Sequence, residues 1–349
     1  MNHKDKFLRK LSVITFALLI FAPFSLVPGQ TEIPPKPKAA IRPKAEFPKP
    51  GWKVGRKIQN ESETPAEKSI LVSTNVNISL CVSEGKLKVN GWERSEVRAF
   101  VSNGSQVGFT VLEKSKQNAS PVWIKVLGFD PTTNKETNPD ECLSGDLIEL
   151  DVPRNAIVNV KSRESETTID SVGKVTVDNL GGDIFLNNIS RGIEAKTYEG
   201  DVTVEKSSGA MTLLSTTGNI VAFDISPGEI GDIFKAKTGN GAITLKNVGQ
   251  RQIEVGSNTG SINFNGEFLS GGQYSFGTSN GSITLSIPQS SSFKVYASYG
   301  FGAFNSEIPL QNVERNAPSR AQSLSAQIGN GDATLKLTTA NGVIRIKKQ

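Results

Sequence analysis

The chain has 349 residues, 39 Lys and Arg against 34 Asp and Glu, a formal charge of +5, two cysteines and one histidine, His3. Once a leader containing His3 is removed, no imidazole remains, which excludes Ser-His-Asp and Cys-His catalysis and any zinc site that needs histidine. The positive charge does not point to nucleic acid: residues 1–29 hold four Lys/Arg and one Asp, so export would leave +2 and put the chain out of reach of that partner.

Lys4, Lys6, Arg9 and Lys10 form a basic start, followed by a largely apolar stretch from Leu11 to Val27 that Pro23 interrupts. Val27, Pro28 and Gly29 supply a cleavage site, so residues 1–29 read as a signal peptide and Gln30 as the new N-terminus. An uncleaved anchor is the alternative, although the apolar stretch falls short of the roughly 20 residues that span a bilayer. Either way the expected location is extracytoplasmic: periplasm, cell surface or secreted. A membrane is touched only through an uncleaved signal.

Residues 30–68 change character abruptly. Pro34, Pro35, Pro37, Pro43, Pro48 and Pro50 alternate with Lys36, Lys38, Arg42, Lys44 and Lys49. Such a segment builds no core and reads as an extended linker. A basic arm against anionic wall polymer or lipid head groups is its functional alternative.

From residue 69 to 349 strand signals dominate. Ile70–Val72, Val76–Val82, Lys86–Val89, Glu96–Val101, Val107–Val111, Val122–Val126 and Leu147–Val152 are rich in β-branched residues, with turn pairs such as Asn90-Gly91 and Asn103-Gly104 between them. Asp130 to Gly145 is a polar loop. Cys81 and Cys142 most simply form one disulfide in an exported protein, closing a loop worth about 4 kcal/mol in the chain-entropy model. Two separately buried thiols are the alternative.

The C-terminal half is punctuated by glycine. Gly173, Gly182, Gly192, Gly200, Gly209 and Gly218 recur every eight to ten residues. Aligning on Gly182, Gly200, Gly218, Gly241, Gly260, Gly281, Gly331 and Gly342 gives strands whose second and fourth residues are apolar every time, as in Gly200-Asp-Val-Thr-Val. Period-two alternation of that kind puts one face in a core and the other in solvent. The fold class is therefore all-β. The doubled spacing of 18 between Gly182, Gly200 and Gly218 favours a β-solenoid, parallel β-helix-like, with two strands per coil. An antiparallel β-meander with Asn-Gly hairpins is the alternative.

These residues resemble the bacterial putative-adhesin family, a domain of unknown function made of Gly-punctuated short strands. The stretch from Asp151 to Val160 resembles the strand by which that family enters its repeat array. Ala340 to Lys347 resembles its terminal strand, and Ser292 to Leu310 its pattern of strand, Gly-rich turn and short hydrophobic strand. A looser likeness reaches Gly85–Trp92 and extends upstream to Ser69. The resemblance implies an exported, β-helical surface or envelope protein with no catalytic residues and no cofactor.

Four sets of side chains are candidates for more than structure. Asp183 and Asp201, with Asp178 nearby, would form a carboxylate ladder suited to calcium, although Asp beside a turn glycine is ordinary turn chemistry and no metal is expected. Glu194, Glu199, Asp201 and Glu205 are near enough in sequence to act as an acid–base pair on a polysaccharide, but outward charges on a solvated strand explain them as well. Thr176, Thr203, Thr212, Thr244, Thr284 and Thr334 suggest a flat hydroxyl array, or simply β propensity. Phe293, Tyr296, Tyr299, Phe301 and Phe304 suggest a binding patch or a cap over the end of the core. The functional expectation is a non-catalytic, exported structural or adhesive module whose partner is a cell-surface glycan or an envelope protein. An envelope scaffold or sensor, or a glycan-active β-helical enzyme, are the alternatives.

Overall fold

The computed structural model describes residues 66–112, 120–129, 142–229, 231–316 and 322–349. The signal peptide and the proline-rich part of the linker lie outside them, as does most of the Asp130–Gly145 loop. Among the described residues there are 23 strands and no helix. This follows from the sequence, where β-branched residues alternate with polar ones and no stretch carries apolar residues at helical spacing.

The strands stack in two parallel columns. The first contains Lys174–Gly181, Ile193–Glu199, Met211–Thr217, Ile233–Asn240, Gln252–Thr259 and Gln273–Asn280. The second contains Ile184–Asn187, Val202–Glu205, Ile220–Ile225, Ile243–Val248, Ile262–Asn265 and Ile283–Ile287. Each coil contributes one strand to each column, so the chain is a β-solenoid. Val175, Ile193, Met211, Phe234, Ile253 and Tyr274 stack in one register row of the first column. Ile184, Val202, Ile220, Ile243, Ile262 and Ile283 stack in the second. All are buried, and each contributes roughly 1.5–3 kcal/mol of hydrophobic stabilisation.

Four longer strands bend through both columns. Asn77–Trp92 and Ile157–Asp170 pair along their whole length at one end of the stack. The predicted break between Val76–Val82 and Lys86–Val89 is therefore a corner within one strand. Gly85 sits at that corner with φ 114°, and the register against Leu143–Pro153 slips between Val82 and Glu84 and again between Glu84 and Lys86. Asn90-Gly91, read as a turn, lies inside the same strand.

The other two long strands depart from chain order. Phe293–Ser306 does not stack on Gln273–Asn280 and Ile283–Ile287. The later strand Ala333–Lys348 lies between them, pairing in parallel with the earlier coil on one side and with Phe293–Ser306 on the other. Gly331 accordingly does not belong to the row of Gly182 and Gly200. It precedes the first-column part of Ala333–Lys348, in the turn that follows Gln322–Ile328.

Antiparallel ladders are confined to the two ends. At one end Trp123–Phe129 and Leu143–Pro153 form the last parallel level on Asn77–Trp92. Gln106–Val111 and Glu96–Ser102 pair antiparallel to them, and Ala66–Leu71 adds outside Glu96–Ser102. Ala66 to Lys68, assigned to the linker from sequence, are thus part of the sheet. At the other end Gln322–Ile328 and Gln311–Asn316 cap the first column. Cys81 and Cys142 are joined by a disulfide with Cα atoms 4.5 Å apart, which ties Asn77–Trp92 to the start of Leu143–Pro153. Inside the far end Phe268, from the turn after Ile262–Asn265, stacks on Phe264 at 5.1 Å and meets Phe293 edge-on at 5.3 Å.

Candidate functional site

The corner between the columns explains the repeat. A Cβ on Gly200, Gly218, Gly241, Gly260 or Gly281 would overlap the carbonyl oxygen of the corner glycine one coil earlier. Gly200 and Gly218 also hold φ of 139° and 151°, a region that side chains rarely enter. Three residues before each corner glycine stands a small buried polar residue: Thr197, Ser215, Thr238, Ser257, Thr278 and Thr339. Each hydroxyl donates to the corner carbonyl of the preceding coil. The distances are 3.0 Å for Ser215 to Gly200, 2.8 Å for Thr238 to Gly218 and 2.9 Å for Thr278 to Gly260. Asn179 opens the row, donating to the carbonyl of Ser165 at 3.0 Å. Sequence reasoning took the glycines and missed these hydroxyls, although Ser/Thr-x-x-Gly recurs in plain view.

Outside this row two open concavities lie along one line of the stack, and together they are called the trough. It follows equivalent register positions from Cys81, Lys161, Asp178 and Lys196 to Leu214, Lys237, Gly256, Gly277 and Thr338. One stretch of about 700 Å³ is floored by Cys81 and Cys142 and rimmed by Lys161, Arg163 and the exposed Leu180. The next, about 650 Å³, runs from Lys196 past Leu214 and Lys237 to the side-chain-free positions Gly256 and Gly277. Neither of these two glycines has the left-handed φ of a corner. A Cβ on Gly256 would stand 3.8 Å from Lys237 Cγ and 3.9 Å from the carbonyl oxygen of Gly277, which is ordinary contact. They widen the trough without being required by the backbone.

Charge is unevenly distributed along it. Lys196 Nζ lies 3.7 Å from Asp178, and Lys237 Nζ lies 2.5 Å from Glu254, which Lys235 also approaches at 3.8 Å. The hydrogen bond from Lys237 holds the Glu254 carboxyl below its ordinary range, against the opposing effect of burial. Lys161 and Arg163 have no ion-pair partner among the described residues, so the Cys81 end is the cationic one.

The other candidates are dispersed. Asp183 and Asp201 do form a ladder, but one oxygen of each is spent on the backbone, and Asp201 also accepts from the Asn219 side chain. Asp183 Oδ1 accepts from the N–H of Asp201 at 2.8 Å, and Asp201 Oδ1 from the N–H of Asn219 at 2.7 Å. Asp178 stands in the first column, away from that ladder. Glu194 is on the outer face of the first column in register with Thr176 and Thr212, Glu199 and Asp201 flank the corner, and Glu205 is in the second column. Thr203, Thr244 and Thr284 share the second column, Thr176 and Thr212 the first, and Thr334 a third row. They form no single array. Of the aromatic set, Phe293 and Tyr299 are buried while Tyr296 and Phe301 are exposed, Phe301 at 84%.

This geometry defines a class: a β-solenoid that presents a repeated outer surface. Residues 132–347 match the family model described as Toastrack DUF4097, and the chain belongs to that family. Two solved structures are similar to it. One is described as a "putative cell adhesion protein" of Clostridium sporogenes, 12% identical, with 82% of this chain and 100% of that one covered at a TM-score of 0.24. The other is a "putative adhesin" of Parabacteroides distasonis, 9% identical, with 81% and 97% covered at a TM-score of 0.31. Likeness at that level carries no argument about this chain. No curated protein matches it.

Proposed function

We propose that this protein is an exported, non-catalytic binding module that holds a linear polymer of the cell surface or envelope, a glycan in the first instance, along its outer trough. One observation carries the reading. The trough passes equivalent positions of successive coils about 4.8 Å apart, so it offers a run of modest contacts and no single concentrated centre. The dispersal of Glu194, Glu199, Asp201 and Glu205 over both columns and the corner supports a role without turnover, since glycoside hydrolysis needs two carboxyls at a fixed separation.

Two experiments test it. Protease treatment of intact cells removes the domain from the surface if it acts outside; protection until the envelope is ruptured would redirect the search to a partner inside. Binding of the protein to purified insoluble envelope glycan is then compared for Lys161→Ala, Lys196→Ala, Lys237→Ala and the triple variant. The expected pattern is a loss of less than about fivefold for each and a near-multiplicative loss for the triple, as separated weak contacts require. Abolition by one substitution, or release of soluble sugar, would overturn the proposal.

A further inference from the structure

The two concavities of the trough meet between neighbouring coils: Leu180 lines one of them and Lys196 the other. Two unlike features stand side by side at that junction. On one line of the stack Lys196 Nζ lies 3.7 Å from Asp178, with both side chains more than half exposed. Two residues further along the same strands, and so about 6.6 Å away, stand Leu180 and Tyr198. They follow Asn179 and Thr197, which are in register in the buried polar row. Leu180 is 59% exposed and Tyr198 56%. Tyr198 is the one aromatic residue on either line between the coil of Lys161 and Arg163 and the coil of Gly277 and Ser279.

These neighbours limit what can lie there. A polypeptide strand has no edge to join, because Ile193–Glu199 is already laddered on both sides. A lipid surface needs a broad apolar area, yet the line of Leu180 and Tyr198 continues as Arg163 on one side and Thr216 on the other. A pyranose ring matches both features. Its C–H face is flat and apolar, which suits the face of a tyrosine. The hydroxyl groups on its rim can accept from the Lys196 ammonium and donate to the Asp178 carboxylate. A sugar polymer that occupies both concavities must cross this junction, and a straight line of register positions suits an extended chain.

Resting on the reading of the trough as a glycan groove, we infer that Tyr198 and Leu180 form the stacking platform for one ring of an extended polymer of β-linked, all-equatorial pyranoses. Asp178 and Lys196 hold the hydroxyl groups of that ring. Equatorial hydroxyls leave C–H bonds on the faces of the ring, where the aromatic side chain meets them. The junction is thus the subsite that selects the sugar, and the lysines elsewhere in the trough add contacts of less discrimination.

Binding of the full chain to the insoluble envelope glycan tests this for three substitutions at Tyr198. The side chain is exposed, so all three variants should keep the melting temperature of the parent. Tyr198→Ala should weaken binding about tenfold, or about 1.4 kcal/mol, more than any single lysine substitution. Tyr198→Leu keeps apolar bulk without a flat face and should be weakened alike, whereas Tyr198→Phe should bind as the parent does. Cellotetraose, with β-linked glucose, should displace the parent from the glycan, and its α-linked counterpart maltotetraose at the same concentration should not. A loss in Tyr198→Ala no larger than that of a single lysine substitution overturns the platform and leaves the glycan reading standing. So do full binding by Tyr198→Leu, weakened binding by Tyr198→Phe, or failure of the two tetrasaccharides to differ. A parent that does not bind the glycan overturns both.

Discussion

Thr238 donates its hydroxyl proton to the carbonyl oxygen of Gly218, 2.8 Å away and one coil earlier. The corner carbonyls project where the backbone turns from one column to the other. The side chain three residues before the next glycine is the nearest group able to reach them. Replacing Thr238 with valine keeps the shape and removes the donor. A loss of about 1–2 kcal/mol is expected, visible as a lower denaturant midpoint at unchanged slope.

Glycines at two kinds of position should respond oppositely to alanine. Gly218→Ala would drive a methyl group into the Gly200 carbonyl at a φ of 151°, and a loss of at least about 2 kcal/mol is expected. Gly256→Ala meets only ordinary contacts and should be neutral or stabilising by up to about 1 kcal/mol. Thermal denaturation of the two variants side by side checks the contrast. If the trough binds a polymer, Gly256→Ala should weaken that binding despite its stability.

The disulfide between Cys81 and Cys142 closes a loop of 61 residues. Cys81→Ser, Cys142→Ser is expected to lose about 4 kcal/mol in the chain-entropy model. Adding reductant should lower the melting temperature of the parent and leave the double variant unmoved.

Glu254 gives a pH signature. Its carboxyl is held below the ordinary value of 4.5, first by the hydrogen bond from Lys237. A depressed folded value means that the contribution is present above the unfolded value and is lost as pH falls through the folded one. The pair is partly solvated, with 46% and 47% of the side chains exposed, so its effect on stability is small. Titration followed by NMR should show Glu254 moving up toward 4.5 in Lys237→Met.

Phe268 supplies a packing test. It is 4% exposed and touches the rings of Phe264, Tyr274, Phe276 and Phe293. Phe268→Ala should lose about 3–5 kcal/mol, and loosening should concentrate at that end of the stack, as hydrogen exchange would show.

Much of this architecture is legible in the sequence because a stacked coil repeats its chemistry. Gly182, Gly200 and Gly218 announce the corner, and Ile184, Val202 and Ile220 the inward row. Less regular coils hide the same corner. Ser165 stands where its neighbours in the stack have Gly85 and Gly182, so the coil of Ile157–Asp170 breaks the glycine pattern. Stacking order is a different matter. Gly342-Val-Ile-Arg-Ile carries the signature of a coil but not its level, because that is set by which edge remains open when the strand arrives. The trough was illegible for a related reason. Lys161, Lys196 and Lys237 are far apart in the chain and ordinary one by one, and only the register lines them up.

The strand Ala333–Lys348 fills a level between Ile283–Ile287 and Phe293–Ser306, both made earlier in the chain. A repeat array can ordinarily be assembled one coil after another as the polypeptide emerges. Here the sequence of synthesis and the sequence of levels disagree. Phe293–Ser306 has no parallel neighbour until residues about 40 positions downstream arrive, and Ile283–Ile287 keeps one bare edge for as long. Completion of that end is therefore a single late closure, with the whole segment from Phe293 onward settling together.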